Sequence, residues 1–188
     1  MENKNFKIKA AQSNIDWIGR KVTGAHYGTI DIKEGTFILN DGKLTGGKFI
    51  VDTTSIKILD VTDPTTNAQF AGHLASDDFF ASERYPEALF VITSAEPDEN
   101  NTYNVTGDLT IKGITNPIVF TAAWNISANT LIASGKIIVN RTLYGMKFRS
   151  GNFFKDLGDT LTYDEFELNV RITAKAVSES AVTSNIVN

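Results

Sequence analysis

The chain has 188 residues, of which 41% are hydrophobic and 21% charged, with a formal net charge of -4 and no cysteine. That length suits one domain of the larger all-β kind, and it can bury a sizeable core without disulfides or metals. The missing cysteines exclude disulfides, thiolate catalysis and Cys-based metal sites, and the alternation of Lys and Arg with Asp and Glu argues against a nucleic-acid partner, which needs clustered cations.

The first five residues carry no apolar h-region and no small-residue cleavage site, so the chain as written reads as cytoplasmic, and as periplasmic if it is a mature form. No apolar run approaches the roughly 18 residues of a membrane helix. Residues 12–22 read as a strand, with Ile15 and Trp17 alternating against Asn14 and Asp16. Residues 28–39 continue with Ile30 and Ile32, then Phe37 and Leu39, and Gly35 between them suggests a bulge or bend. Asn40-Asp41-Gly42-Lys43 predicts a tight hairpin turn, and residues 44–53 return with Phe49 and Val51 on one face. Ile56, Ile58 and Val61 follow before Asp63-Pro64 ends the run.

The stretch 65–85 differs: Asn67 can cap a short helix over residues 68–74, with Phe70 and Leu74 on one face. Pro86 then forces an extended chain. Strands are predicted over 88–94 (Leu89 and Val91 on one face, Phe90 and Ile92 on the other), 103–112, 117–125 (Ile118, Phe120, Ala122 and Trp124 on one face), 130–140 and 161–174. Residues 112–116 read as a turn, and the end of the chain, from 176 on, as a loose tail. Many short alternating strands joined by polar turns argue a barrel or sandwich, and closure into a barrel removes exposed edges.

Several blocks in order resemble the YceI-like family of bacterial proteins. They are Trp17 to Val22 with Gly24-Ala25-His26-Tyr27-Gly28; Leu44 to Ile56; His73-Leu74-Ala75-Ser76-Asp77-Asp78-Phe79-Phe80 with Tyr85-Pro86; Gly107-Asp108-Leu109-Thr110-Ile111-Lys112-Gly113; Asn140-Arg141 before Tyr144-Gly145; and Asp164-Glu165-Phe166-Glu167-Leu168. The resemblance implies an all-β, lipocalin-like antiparallel barrel of about eight strands with one short helix in the 67–75 region, the domain covering 12–175. It also implies a homodimer that binds a polyisoprenoid lipid or an isoprenoid quinone and has no catalytic activity.

A barrel of about eight strands has an interior just wide enough for side chains or one slim ligand. Burying hydrocarbon gives roughly 0.8 kcal/mol per CH₂, so one five-carbon unit contributes about 3–4 kcal/mol at most. Two or three such units offset an association cost of about 4–15 kcal/mol. The expected lining is Trp17, Phe49, Val51, Phe70, Phe79, Phe90, Ile92, Leu109, Ile111, Phe120, Trp124 and Phe166. Each of these would serve equally well as core packing, which leaves open an interaction or structural domain filled by its own side chains. The short helix is either a lid over the mouth or a plug in one end. His26 and Arg141 are candidate head-group contacts, with an internal hydrogen bond or an ion pair to Asp16 or Asp77 as the alternative.

Enzymatic readings are weak. The only histidines are His26 and His73, which leaves a zinc site without enough well-spaced ligands. No nucleophile elbow or phosphate-binding loop is present. The adjacent acids Asp77-Asp78 and Asp164-Glu165 do not form a ready dyad, because neighbours on a strand point to opposite faces.

Overall fold

Inward apolar and outward polar side chains alternate along nearly every segment, and the computed structural model shows those segments as antiparallel strands that close on themselves. It describes residues 3–151, 157–158 and 162–177. The elements are β1 (Asn3–Ile8), β2 (Asn14–Lys21), β3 (Gly24–Asn40), β4 (Lys43–Ile58), α1 (Pro64–Ala75), β5 (Glu87–Pro97), β6 (Thr102–Ile111), β7 (Ile114–Ser127), β8 (Thr130–Asn140) and β9 (Thr162–Ala176). From β2 to β9 each strand pairs with the next, and β9 returns to β2 with Trp17 opposite Leu168. The result is a closed antiparallel barrel of eight strand positions with, among the described residues, one α-helix, the lipocalin-like arrangement expected. Among the described residues no helix is long and apolar enough to cross a membrane.

The barrel begins earlier than position 12. β1 pairs with β3 (Phe6 opposite Phe37) and with β9 (Ile8 opposite Ala174), so it continues the place of β2 beyond a one-turn 3₁₀ segment at Ala10–Gln12. Phe6 is fully buried and Ile8 nearly so. Only these two apolar residues mark the strand between lysines, a pattern too short to stand out. At the other end β9 includes Ala176, whose N–H donates to the Asn129 carbonyl, and the Val177 N–H donates to the Asn5 carbonyl, both at 2.8 Å. The remainder of the expected tail, 178–188, lies outside the described residues.

In β3 the buried positions switch from even (Ile30, Ile32) to odd (Phe37, Leu39). A period-two strand can do this only by inserting a residue, and the register against β4 shifts between Ile32 and Glu34, beside Gly35 as expected. Asp41 and Gly42 both take positive φ, 51° and 78°, which gives the tight turn between Asn40 and Lys43. The turn expected over 112–116 is shorter: Lys112-Gly113 alone reverses the chain, with Ile111 opposite Ile114.

The helix also starts earlier. Asp63 caps it by accepting from the Thr66 N–H at 2.9 Å and the Thr66 hydroxyl at 2.7 Å, with Pro64 in the first turn where its missing N–H costs nothing. Asn67 lies inside the helix rather than capping it. Its amide donates to the carbonyls of Ile58 and Val61 at 2.9 and 3.0 Å and ties α1 to the end of β4.

Candidate ligand-binding site

The barrel interior is hollow toward α1 and filled toward β1. A cavity of about 320 Å³ opens at the helix end, bounded by β2, the starts of β3, β5 and β9, the ends of β4 and β6, and α1. Seven of the expected lining residues border it: Trp17, Val51, Phe70, Phe79, Leu109, Ile111 and Phe166. Phe70 and Leu74 both face it from α1, so the helix covers part of this end.

The other five residues of the expected lining, Phe49, Phe90, Ile92, Phe120 and Trp124, do not border the cavity. They pack instead into the main core with Phe6, Phe37, Leu39 and Val105. Ring centroids lie 5.0 Å apart for Phe37–Phe49 and 5.6 Å apart for Phe49–Phe90, Phe90–Phe120 and Phe37–Trp124. These are the separations of rings in direct contact. Facing inward therefore identified them as interior, but neighbouring rings occupy the space a ligand would need.

Other residues border the cavity besides those of the expected lining. Ile15, Ile30 and Leu168 share the inward parity of Trp17 and Phe166, so alternation could have found them. Met146 and Phe148 come from the irregular segment after β8, where no period exists to read.

The polar groups gather at the helix end. His26 Nδ1 lies 2.7 Å from Asp60 Oδ2, and its ring meets Phe70 at 4.7 Å. Partial burial works to raise the Asp60 pKa, but hydrogen bonds from the Tyr27 N–H and the His26 imidazole hold its carboxyl below the ordinary carboxylate range. His73 Nε2 lies 3.0 Å from Asp78 Oδ2, and its ring contacts Phe79 and Phe148 at 5.0 and 4.5 Å. Arg20, Lys21 and Arg149 also border the cavity, with Arg20 donating to Glu167 at 3.0 Å.

Arg141 borders the cavity yet is only 3% exposed. Its Nη1 donates to the Met146 carbonyl at 2.7 Å, Nε to Tyr163 at 2.9 Å and Nη2 to Thr162 at 3.1 Å. The partner is thus backbone, not Asp16 or Asp77; Asp77 pairs with Arg84 at 2.8 Å. Burial lowers the Arg141 pKa from the usual guanidinium value while nearby Asp164 counters it, and an arginine so placed stays charged. It fastens the segment after β8 to the start of β9. Among the described residues no three His, Asp or Glu side chains group as metal ligands would.

The description of a YceI-like domain matches residues 6–174, nearly the whole barrel. The chain belongs to the YceI-like family. A UPF0312 protein of Photorhabdus laumondii is 35% identical over 140 residues, covering 70% of this chain and 65% of that protein. Another, of Pseudomonas putida, is 33% identical over 115 residues, 59% of this chain and 56% of that protein. The matched stretch spans between 56% and 65% of these curated relatives' own length. Among solved structures, Burkholderia cenocepacia BcnA superposes with a TM-score of 0.67 at 21% identity, covering 88% of this chain and 98% of that one. A polyisoprenoid binding domain from Saccharophagus degradans superposes with a TM-score of 0.65 at 11% identity, covering 92% and 98%. These likenesses establish the YceI-like barrel as the fold.

Proposed function

We propose that this YceI-like barrel binds an isoprenoid-type lipid or quinone by its apolar tail, as a carrier, store or protective sheath and without catalysis. The observation that carries the reading is the half-hollow interior: a cavity of about 320 Å³ walled by Ile15, Trp17, Val51, Leu109, Phe166 and Leu168. A slender hydrocarbon gains by leaving water for such a wall. The polar end of the ligand stays at the open side, where Arg20, Lys21, His26 and Arg149 border the cavity. In this reading Arg141 acts indirectly, by holding the carbonyls of Met146, Thr162 and Tyr163 in place around the mouth. The polyisoprenoid-binding domain of Saccharophagus degradans, with the same fold, supports the ligand class.

The filled half favours a second reading, an interaction domain whose barrel carries no ligand. Native mass spectrometry of the purified protein, with organic extraction, separates the two. A co-purifying mass that fragments in isoprene steps is the expected result. A ligand-free mass with no uptake of added prenol or quinone would leave the interaction domain.

A further inference from the structure

We infer that the barrel measures the tail it takes: a floor of aromatic rings spans the bore and stops an apolar chain after about three isoprene units. The inference rests on the proposed carrier function and specifies its ligand.

The boundary between hollow and filled falls within one inward-facing position on each of four strands. On β4 Val51 borders the cavity and Phe49 does not; on β5 the division lies between Ala88 and Phe90, on β6 between Leu109 and Gly107, and on β9 between Leu168 and Val170. The floor crosses the whole bore. Phe37 on β3 touches Trp124 on β7 directly, and β3 and β7 lie on opposite sides of the eight-position ring. A second path, Phe37–Phe49–Phe90–Phe120, runs through β4 and β5 to the same strand β7.

Glycines on the wall let these rings lie where they do. Gly35 sits directly opposite Phe49, and a Cβ there would come within 3.0 Å of that ring and 2.6 Å of Ile8 Cδ1. A Cβ on Gly107 would meet the Phe90 ring at 2.4 Å. Rings laid against glycines on neighbouring strands are a cross-strand packing device, and here it brings Phe49 and Phe90 into contact with each other and with Phe37 and Phe120.

The depth above the floor follows from the strands. On β2 the cavity is bordered by Ile15, Trp17, Gly19, Arg20 and Lys21; the six steps from Ile15 to Lys21 span about 20 Å along the strand. At the usual barrel tilt this is about 15 Å along the axis. An extended chain covers about 3.5 Å per three bonds, and an isoprene unit contributes four bonds to its main chain. About three units therefore fill the depth.

The test is a competition among prenols of two, three, four and eight units, offered together from nonionic detergent micelles and read by native mass spectrometry. In a micelle the tail is already out of water, so any unit the cavity cannot take becomes exposed on binding. Wild-type occupancy is expected to peak at three units and to be at least about tenfold lower at eight. Phe90→Ala should move the peak to longer tails, and Phe90→Leu, the gentler change, should move it less. Equal wild-type occupancy by the three-unit and eight-unit prenols would overturn the floor and leave the carrier function standing. A folded Phe90→Ala protein with the wild-type peak would also overturn the floor. Uptake of none of the prenols would overturn both.

Discussion

The two ends of the barrel share one strand ring and one alternation, and they differ in the size of what points inward. Toward β1 the inward positions hold Phe6, Phe37, Phe49, Phe90, Phe120 and Trp124, and the rings of the last five meet across the bore. Toward α1 the strands present mostly aliphatic side chains, among them Ile15, Ile30, Val51, Leu109 and Leu168, which leave the bore open. The aromatic residues from outside the strands, Phe70, Phe79, Phe80 and Phe148, come from α1 and the connecting segments and enclose the opening. An eight-strand barrel is near the size at which side chains just fill it, so a change from ring to aliphatic at one level is enough to turn core into cavity.

Substitutions at the two ends put that contrast to the test. The largest effect belongs to the filled end: Phe37→Ala should cost about 3–5 kcal/mol of unfolding free energy in urea melts, because its ring is buried among others and the gap cannot collapse. Next comes the mouth, where Arg141→Met leaves three carbonyls without their donor. It should cost about 2–4 kcal/mol, and any loss of tail binding should follow from loosening of the segments around Met146 and Thr162. At the hollow end, Leu109→Ala should cost about 2 kcal/mol, the low end for such a truncation, because that side chain already faces a void. Leu109→Trp, which puts its added bulk into the void, should cost no more than about 1–3 kcal/mol and yet abolish prenol uptake measured by native mass spectrometry.

The smallest effect is a pH dependence. The folded Asp60 carboxyl titrates below its ordinary value, so its contribution is present above the ordinary carboxylate pKa and is lost as pH falls through the lowered one. Asp60→Asn should therefore cost about 1 kcal/mol near neutrality. Thermal melts of the two proteins should converge in acid.

The closed barrel was legible because alternation is a direct physical signal: each strand that buries one face shows it at period two. The β3 bulge was legible for the same reason, through the parity change around Gly35. The division of the interior was not. Alternation places Phe49 and Val51 on one inward face without saying that Phe49 meets Phe37 and Phe90 while Val51 meets a void. That depends on height along the axis and on which strands stand opposite, both set by the register of the whole ring. The partners of His26 and Arg141 were hidden likewise: Asp60 lies in the stretch between β4 and α1, and the Arg141 acceptors are backbone carbonyls, which carry no residue signature.

If one half of the barrel is a receptor and the other a solid core, a bound tail disturbs only the first. Methyl NMR during titration with a three-unit prenol tests this most directly. Shifts are expected for Ile15, Val51, Leu109 and Leu168, with Leu39, Val105 and Leu131 left essentially still. Uniform shifts along the barrel, or none at saturating prenol, would contradict it.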